Sequence, residues 1–179
     1  MENVFICQIF TLDIVLMTFR GGYLTPRETE IWSLRRRIHN QSEIARILRI
    51  SRQAVNISLG TIKEKVEQTF HECLEVNNLQ PRKINLVDGV MEAYSPAYQL
   101  PVIVSLSVAN GLKVWYLYEG NCSRCDLERV CRKALLEEAR ERDVELEPGY
   151  QRLEPTKLAQ KIFSRYLTEE RTVDQKEKR

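Results

Sequence analysis

The stretch QSEIARILRISRQAVNISL, residues 41–59, constrains the fold more than any other part of the chain. Two short helices that cross steeply need a small residue where they approach and apolar residues in the wedge between them. They also need polar residues at the exposed start of the second helix. Ala45 is the small residue, and Ile44, Leu48, Ile50 and Val55 are spaced to fill the wedge. Ser51, Arg52, Gln53 and Asn56 fall at the start of the second helix, and Arg49-Ile50-Ser51 is a three-residue turn. The spacing predicts a helix-turn-helix. A helical hairpin whose arginines form only a solvated face would share the apolar part of this pattern, but gives no reason for the polar cluster.

The flanks carry helix-start signals. In LTPRETEIWSLRRRI, Thr25 is an N-cap, Pro26 suits the first helical position and Glu28 completes a capping box. Ile31, Leu34 and Ile38 recur at helical spacing, and Trp32 belongs with the core. Asn40 and Glu43 form a second capping box, with His39 at the preceding helix end. Ser51 caps a third helix that runs to about Val76. Its seam of Leu59, Ile62, Val66, Thr69, Cys73 and Val76 has 3-4 spacing, suited either to a second copy of the chain or to packing on the rest of this one.

With 179 residues, 43% apolar and 29% charged, the chain has room for one ordinary globular domain or two small ones. A net charge of +2 indicates no polyanionic partner, but the charge is unevenly spread. Residues 20–65 hold ten Lys and Arg against four acids, a local +6. Arginine can pair with guanine edges in a major groove, and Gln or Asn with adenine edges. Arg52, Gln53 and Asn56 are therefore the candidate base readers, and Ser51 at a helix N-terminus suits a phosphate. Arg35, Arg36, Arg37, Arg46 and Arg49 are candidates for backbone contacts on double-stranded DNA.

The segment LTPRETEIWSLRRR…NQSEIARILRISRQAVNISLGTIKEKVEQ resembles the helix-turn-helix of sigma-factor region 4 and of LuxR-type regulators, and is most similar to the Tfx-type archaeal transcriptional regulators. The resemblance covers about residues 23–70. It implies sequence-specific DNA binding by the helix that starts at Ser51, and transcription regulation. A homodimer is expected, because such modules gain affinity from two half-sites. One departure is Arg49, where such motifs carry glycine in the turn; positive φ there costs an arginine ~1 kcal/mol. No polymerase-binding regions accompany the motif, so a sigma factor is not implied.

Beyond Pro81 the character changes. RKINLVDGVMEAY and PVIVSLSVANGLKVWYLY read as hairpins around Asp88-Gly89 and Asn110-Gly111. Tyr94, Tyr98, Trp115, Tyr116 and Tyr118 are read as packing residues, with a small-ligand pocket as the other reading. LLEEARERDVELE reads as a solvated helix face, and EPTKLAQKIFSRYL as a last amphipathic helix with Leu158, Ile162, Phe163 and Tyr166 on one side. The expected fold class is α+β: a three-helix module over residues 20–78, then a small antiparallel sheet with C-terminal helices over 79–168. Residues 1–19 read as an apolar extension and 169–179 as a disordered tail. The apolar start is too short for a membrane span, carries Asp13 and lacks a signal-peptide pattern, so a cytoplasmic protein is expected.

CSRCDLERVC places Cys122, Cys125 and Cys131 within ten residues, the first pair in a loop and the third in a helix. Zinc and iron–sulfur clusters are the groups that take three or four thiolates, with Cys73 the best candidate for the fourth ligand. His71, Asp126 or a small ligand stand behind it. The spacing resembles the distal cysteines of the iron–sulfur motif in AddB-type nucleases, where a fourth cysteine lies well upstream. No D…E-x-K set is present, so no nuclease activity is carried over, and no catalytic constellation is visible elsewhere. A thiol switch of Cys122 and Cys125, or cysteines that only pack, are the other readings. Together these features point to a DNA-binding transcriptional regulator with a metal- or redox-responsive C-terminal part. The alternative is a metal-stabilised nucleic-acid-binding or protein-interaction factor.

Overall fold

The computed structural model describes residues 24–38, 40–118 and 122–167; the N-terminal extension, His39 and the charged tail lie outside this set. Three helices come first: α1 (Pro26–Arg37), α2 (Gln41–Leu48) and α3 (Arg52–Asn77). Four strands follow as an antiparallel meander in sequence order: β1 (Gln80–Asn85), β2 (Val90–Ser95), β3 (Leu100–Ser107) and β4 (Gly111–Tyr116). A 3-10 turn, Cys122–Arg124, leads into α4 (Glu128–Glu141), and α5 (Pro155–Leu167) ends the described chain. The fold is α+β, as the sequence indicates.

The local signals explain the boundaries. Thr25 accepts from the Glu28 N–H while Glu28 accepts from the Thr25 N–H at 2.7 Å, so the capping box closes. Asn40 caps α2 through the Ser42 N–H rather than through a full box. At the first hairpin, Asn85 ties the turn. Its side chain accepts from the Asp88 N–H at 3.0 Å and donates to the Asp88 carboxylate at 2.9 Å. Gly89 (φ +64) and Gly111 (φ +65) take the left-handed positions that turns of this kind need. Pro81 is tolerated because β1 is an edge strand, and the register slips between Pro81 and Lys83.

The sheet separates two helical layers. On one face, Met91, Ala93, Val102, Val104 and Leu106 join Ile31, Trp32, Ile44, Ala45, Val55, Ile62, Val66, Phe70 and Cys73 in one core. On the other, Val90, Ile103 and Trp115 pack with Cys131, Leu135, Leu158, Ile162 and Phe163. Period-2 alternation along β2 and β3 sends neighbouring residues to opposite cores. The compositional boundary at Pro81 therefore has no counterpart in packing, since the helices before it are built onto the sheet after it. The seam of α3 is occupied in the same way: Ile62, Val66, Thr69 and Cys73 face the sheet-side core, and only Val76, at 74% exposed, lies outside it. A coiled-coil dimer through that seam is excluded by this packing. No helix among the described residues is long and apolar enough to cross a membrane.

Candidate nucleic-acid interface

The turn between α2 and α3 is set by two backbone bonds. The Ile50 N–H reaches back to the Ala45 carbonyl at 3.0 Å, and the Arg49 N–H to the Arg46 carbonyl at 3.3 Å. This is the Schellman pattern, with its left-handed residue at Arg49 (φ 53, ψ 44). The turn thus keeps the backbone that glycine would take, and Arg49 carries the strain. Arg49→Gly is expected to raise stability by about 0.5–1 kcal/mol, the left-handed penalty less the extra entropy of glycine in the unfolded chain. A thermal unfolding scan checks this.

Ser51 then caps α3, accepting from the Ala54 N–H at 3.0 Å. Val55 is fully buried against α2, together with Ile44 and Ala45. The side of α3 away from this wedge carries Gln53, Asn56, Ile57 and Gly60, all exposed and spaced i, i+3, i+4 and i+7. Ser51 and Arg52 are exposed beside them. Arg46 (side chain 79% exposed), Arg37 and Arg49 border the turn and the helix ends, Arg46 lying 3.7 Å from Glu43. Arg35 is half-buried. The frame behind this face is braced by a hydrogen bond and an ion pair. Arg27 donates to the Leu48 carbonyl at the end of α2, and Lys65 of α3 meets Glu28 of α1 at 2.8 Å.

Arg36 corrects the expectation of a phosphate contact. Its side chain is only 3% exposed. The guanidinium lies 4.1 Å from the centre of the Trp32 ring and is paired with Glu141 of α4, on the far side of the sheet edge. Its Nε and Nη1 have no hydrogen-bond partner among the described residues. The charge belongs to the interior, because a phosphate outside cannot reach it.

The solvated acidic face expected around residues 135–147 is corrected by the same network. Glu138 is fully buried, and Glu141 is 12% exposed. Glu138 accepts from Ser105 Oγ at 2.6 Å and from Arg142 at 3.1 Å, while Trp115 donates to Ser105 at 2.8 Å. Glu141 accepts from the Val108 and Ala109 N–H groups, both at 2.9 Å, at the β3–β4 turn. Burial pushes the Glu141 carboxyl up. The charge of Arg36, the two backbone donors and the Arg36 hydrogen bond outweigh this and hold it below its ordinary 4.5. For Glu138, burial prevails over Arg142 and Ser105, and its pKa is raised.

The pH consequence has a definite sign. A depressed folded pKa contributes stability that is present above the unfolded value and lost as the pH falls through the folded value. Glu141 therefore makes the fold acid-sensitive below about 4.5, whereas Glu138, shifted the other way, acts only above 4.5, where the fold gains stability as the pH falls. Glu141→Gln is expected to be less stable at neutral pH and to lose less further stability on acidification below 4.5 than the wild type. Urea unfolding at a series of pH values checks the slope.

The four cysteines expected as ligands do not assemble; Cys7 lies outside the described residues. Cys73, on α3, lies in the core on one side of the sheet, and Cys131, on α4, in the core on the other. Among the described residues, no group of three His, Cys, Asp or Glu side chains is placed to hold a metal ion. The expected zinc or iron–sulfur site of Cys122, Cys125, Cys131 and Cys73 thus does not fit this arrangement. Cys73 was joined to the other three by ligand chemistry alone, while the sheet runs between it and Cys131. Cys73 receives the Asn77 amide at 3.6 Å, and burial pushes its thiol up to about 11. Cys122 and Cys125 share the 3-10 turn and are half-exposed, the Cys125 N–H donating to the Cys122 carbonyl at 3.1 Å. Of these four thiols, iodoacetamide on the native chain is expected to label Cys122 and Cys125 first. Cys73 and Cys131 should follow only on unfolding, at least tenfold more slowly, as mass spectrometry of the peptides will read.

Sequence reasoning missed the Arg36–Glu141 and Arg142–Glu138 pairs. The only available signal was Arg142 four residues after Glu138 on a helix already known to carry apolar Ala134, Leu135 and Ala139. Compared with family models, with curated proteins and with solved structures, the chain matches none of them.

Proposed function

We propose that the chain is a sequence-specific, double-stranded-DNA-binding transcriptional regulator that reads the major groove with the first two turns of α3. One observation carries this reading. All the wedge residues of the turn are packed inward, while Gln53 and Asn56 stand exposed behind a capped helix N-terminus. A helix of 10–12 Å diameter fits a major groove about 12 Å wide. Gln53 and Asn56 are the groups that can take adenine edges, and Arg52 those of guanine. Arg37, Arg46 and Arg49 supply phosphate contacts, with Arg35 beside them; Arg36 is withdrawn from that set. The Tfx-like resemblance supports the same reading, as does the local +6 charge of residues 20–65. The regulatory part of the proposal rests on the half-exposed Cys122 and Cys125 thiols as redox-responsive groups, and on a homodimer that engages two half-sites.

Duplex selection followed by titration at several salt concentrations tests it. Gln53→Ala is expected to relax preference at one base pair, a loss of about 1–3 kcal/mol. Arg46→Ala should weaken binding to all duplexes alike and lower the salt slope by about one. Equal affinity of the wild type for every duplex would overturn the reading.

A further inference from the structure

Two features of α3 are unexplained by the fold itself. Ile57 is 62% exposed, a large apolar side chain set in water one turn behind Gln53. Gly60, three residues on, stands in the middle of a 26-residue helix. A Cβ at Gly60 would meet nothing within 4 Å, so no neighbour among the described residues requires its smallness. Glycine in an exposed helix interior is destabilising relative to alanine. Both features lie on one stripe with Gln53 and Asn56, at i, i+3, i+4 and i+7. An apolar side chain and a bare backbone patch, aligned with amide side chains and flanked by arginines, match one kind of surface. The floor of a major groove presents thymine methyl groups among its hydrogen-bonding edges, and sugar–phosphate forms its walls.

We infer that Ile57 is a specificity residue that packs on the C5-methyl group of a thymine, and that Gly60 is bare so that the groove wall can approach the α3 backbone. This deepens the proposed function and rests on it. Seven residues separate Gln53 from Gly60, about 10.5 Å of helix at 1.5 Å per residue, close to the groove width of about 12 Å. A helix entering tip first therefore has Gln53 and Asn56 over the bases, Ile57 beside them and Gly60 at the wall. The rest of the stripe excludes a purely electrostatic contact, because an isoleucine contributes nothing to phosphate binding.

The test uses the full chain and the duplex it prefers in a selection from random sequence. Each thymine is replaced singly by deoxyuridine, which removes only the methyl group. At one position the wild type is expected to bind about three- to tenfold more weakly. Ile57→Ala should lose a similar factor on the thymine duplex and nothing more on the uracil duplex. Gly60→Ala should raise the unfolding midpoint yet weaken binding, opposite signs that a structural role would not produce. Full tolerance of uracil at every position, with sequence preference retained, would overturn the inference alone. So would an Ile57→Ala chain that changes oligomeric state but binds duplex with unchanged affinity, which would make the stripe a surface between copies. Absence of any duplex preference would instead remove the proposed function and this inference together.

Discussion

Arg142→Ala is expected to lower stability by about 3–5 kcal/mol, the cost of leaving a buried charge without its partner. Arg142 is held by several groups at once. Its side chain is 1% exposed, and it lies against Glu138, itself wholly buried. Beyond that pair it donates to the Asp88 carbonyl, to the Leu106 carbonyl at 3.0 Å and to the Gly89 carbonyl at 3.5 Å. Its guanidinium also lies 5.5 Å from the ring centres of both Phe163 and Tyr166. The group therefore closes backbone acceptors at the end of the first hairpin, where α4, α5 and the sheet meet. Truncation removes a donor from each of those carbonyls and the charged partner from Glu138, although Gly89 keeps the Leu106 N–H at 2.8 Å and Glu138 keeps Ser105. Urea unfolding of the variant measures the loss. The pair Glu138→Gln/Arg142→Met should lose less than the sum of its singles, because no buried charge then remains alone. A loss below about 1 kcal/mol in Arg142→Ala would mean that water reaches the site.

Gly89→Ala has the second large expected effect, about 2–5 kcal/mol. Two penalties combine. Gly89 has φ +64, where an alanine is strained. A Cβ there would stand 2.7 Å from Trp32 Cζ2, 2.9 Å from Cη2 and 3.0 Å from the Leu106 carbonyl oxygen. The ring cannot yield easily: its Nε1 donates to the Val87 carbonyl at 2.9 Å, and Arg36 covers its face. Trp32 thus keys α1, and with it the three-helix layer, onto the first hairpin. The two penalties are separable. Trp32→Leu/Gly89→Ala should recover the steric part relative to the Trp32→Leu background and leave the φ strain of about 1–2 kcal/mol. The readout is the unfolding midpoint of the four chains in that cycle.

Neither effect involves a residue of the α3 stripe that is proposed to read DNA. They concern how the head is mounted. Arg36 pairs with Glu141, Glu141 holds the β3–β4 turn, and Trp32 holds the β1–β2 turn. The helices that carry the stripe are anchored at two places to the sheet and to α4, so the stripe has a rigid support.

Much of this was legible in the residues. The offsets of Ile44, Ala45, Leu48, Ile50 and Val55, together with Thr25, Asn40 and Ser51, gave the three helices, because capping and 3.6-residue periodicity act within a few residues. Asp88-Gly89 and Asn110-Gly111 marked two of the turns. The connection from β2 to β3 was less legible. It turns through Gln99 at φ 57, a residue that carries no turn signature. The exposed stripe of α3 was half-legible: Gln53 and Asn56 were recognisable as candidate base readers, but nothing in the spacing singled out Ile57, which only its exposure places beside them.

What the sequence determined by itself is therefore the part governed by local chemistry: the helices, their caps, the hairpins and the polar start of α3. Only the tertiary structure decided which charges are available to a partner. Arg36 and Arg37 are neighbours in sequence, yet one is sealed against Trp32 and Glu141 and the other is exposed. Cys122 and Cys73 were joined by ligand chemistry, yet Cys73 lies in the core on the opposite face of the sheet from the helix that follows Cys122. Glu138 and Glu141 read as solvated, yet form the floor of a buried network. The physical reason is the same in each case. Burial and pairing are set by the other face of a layer assembled from distant segments, and no periodicity along the chain encodes which segment that will be.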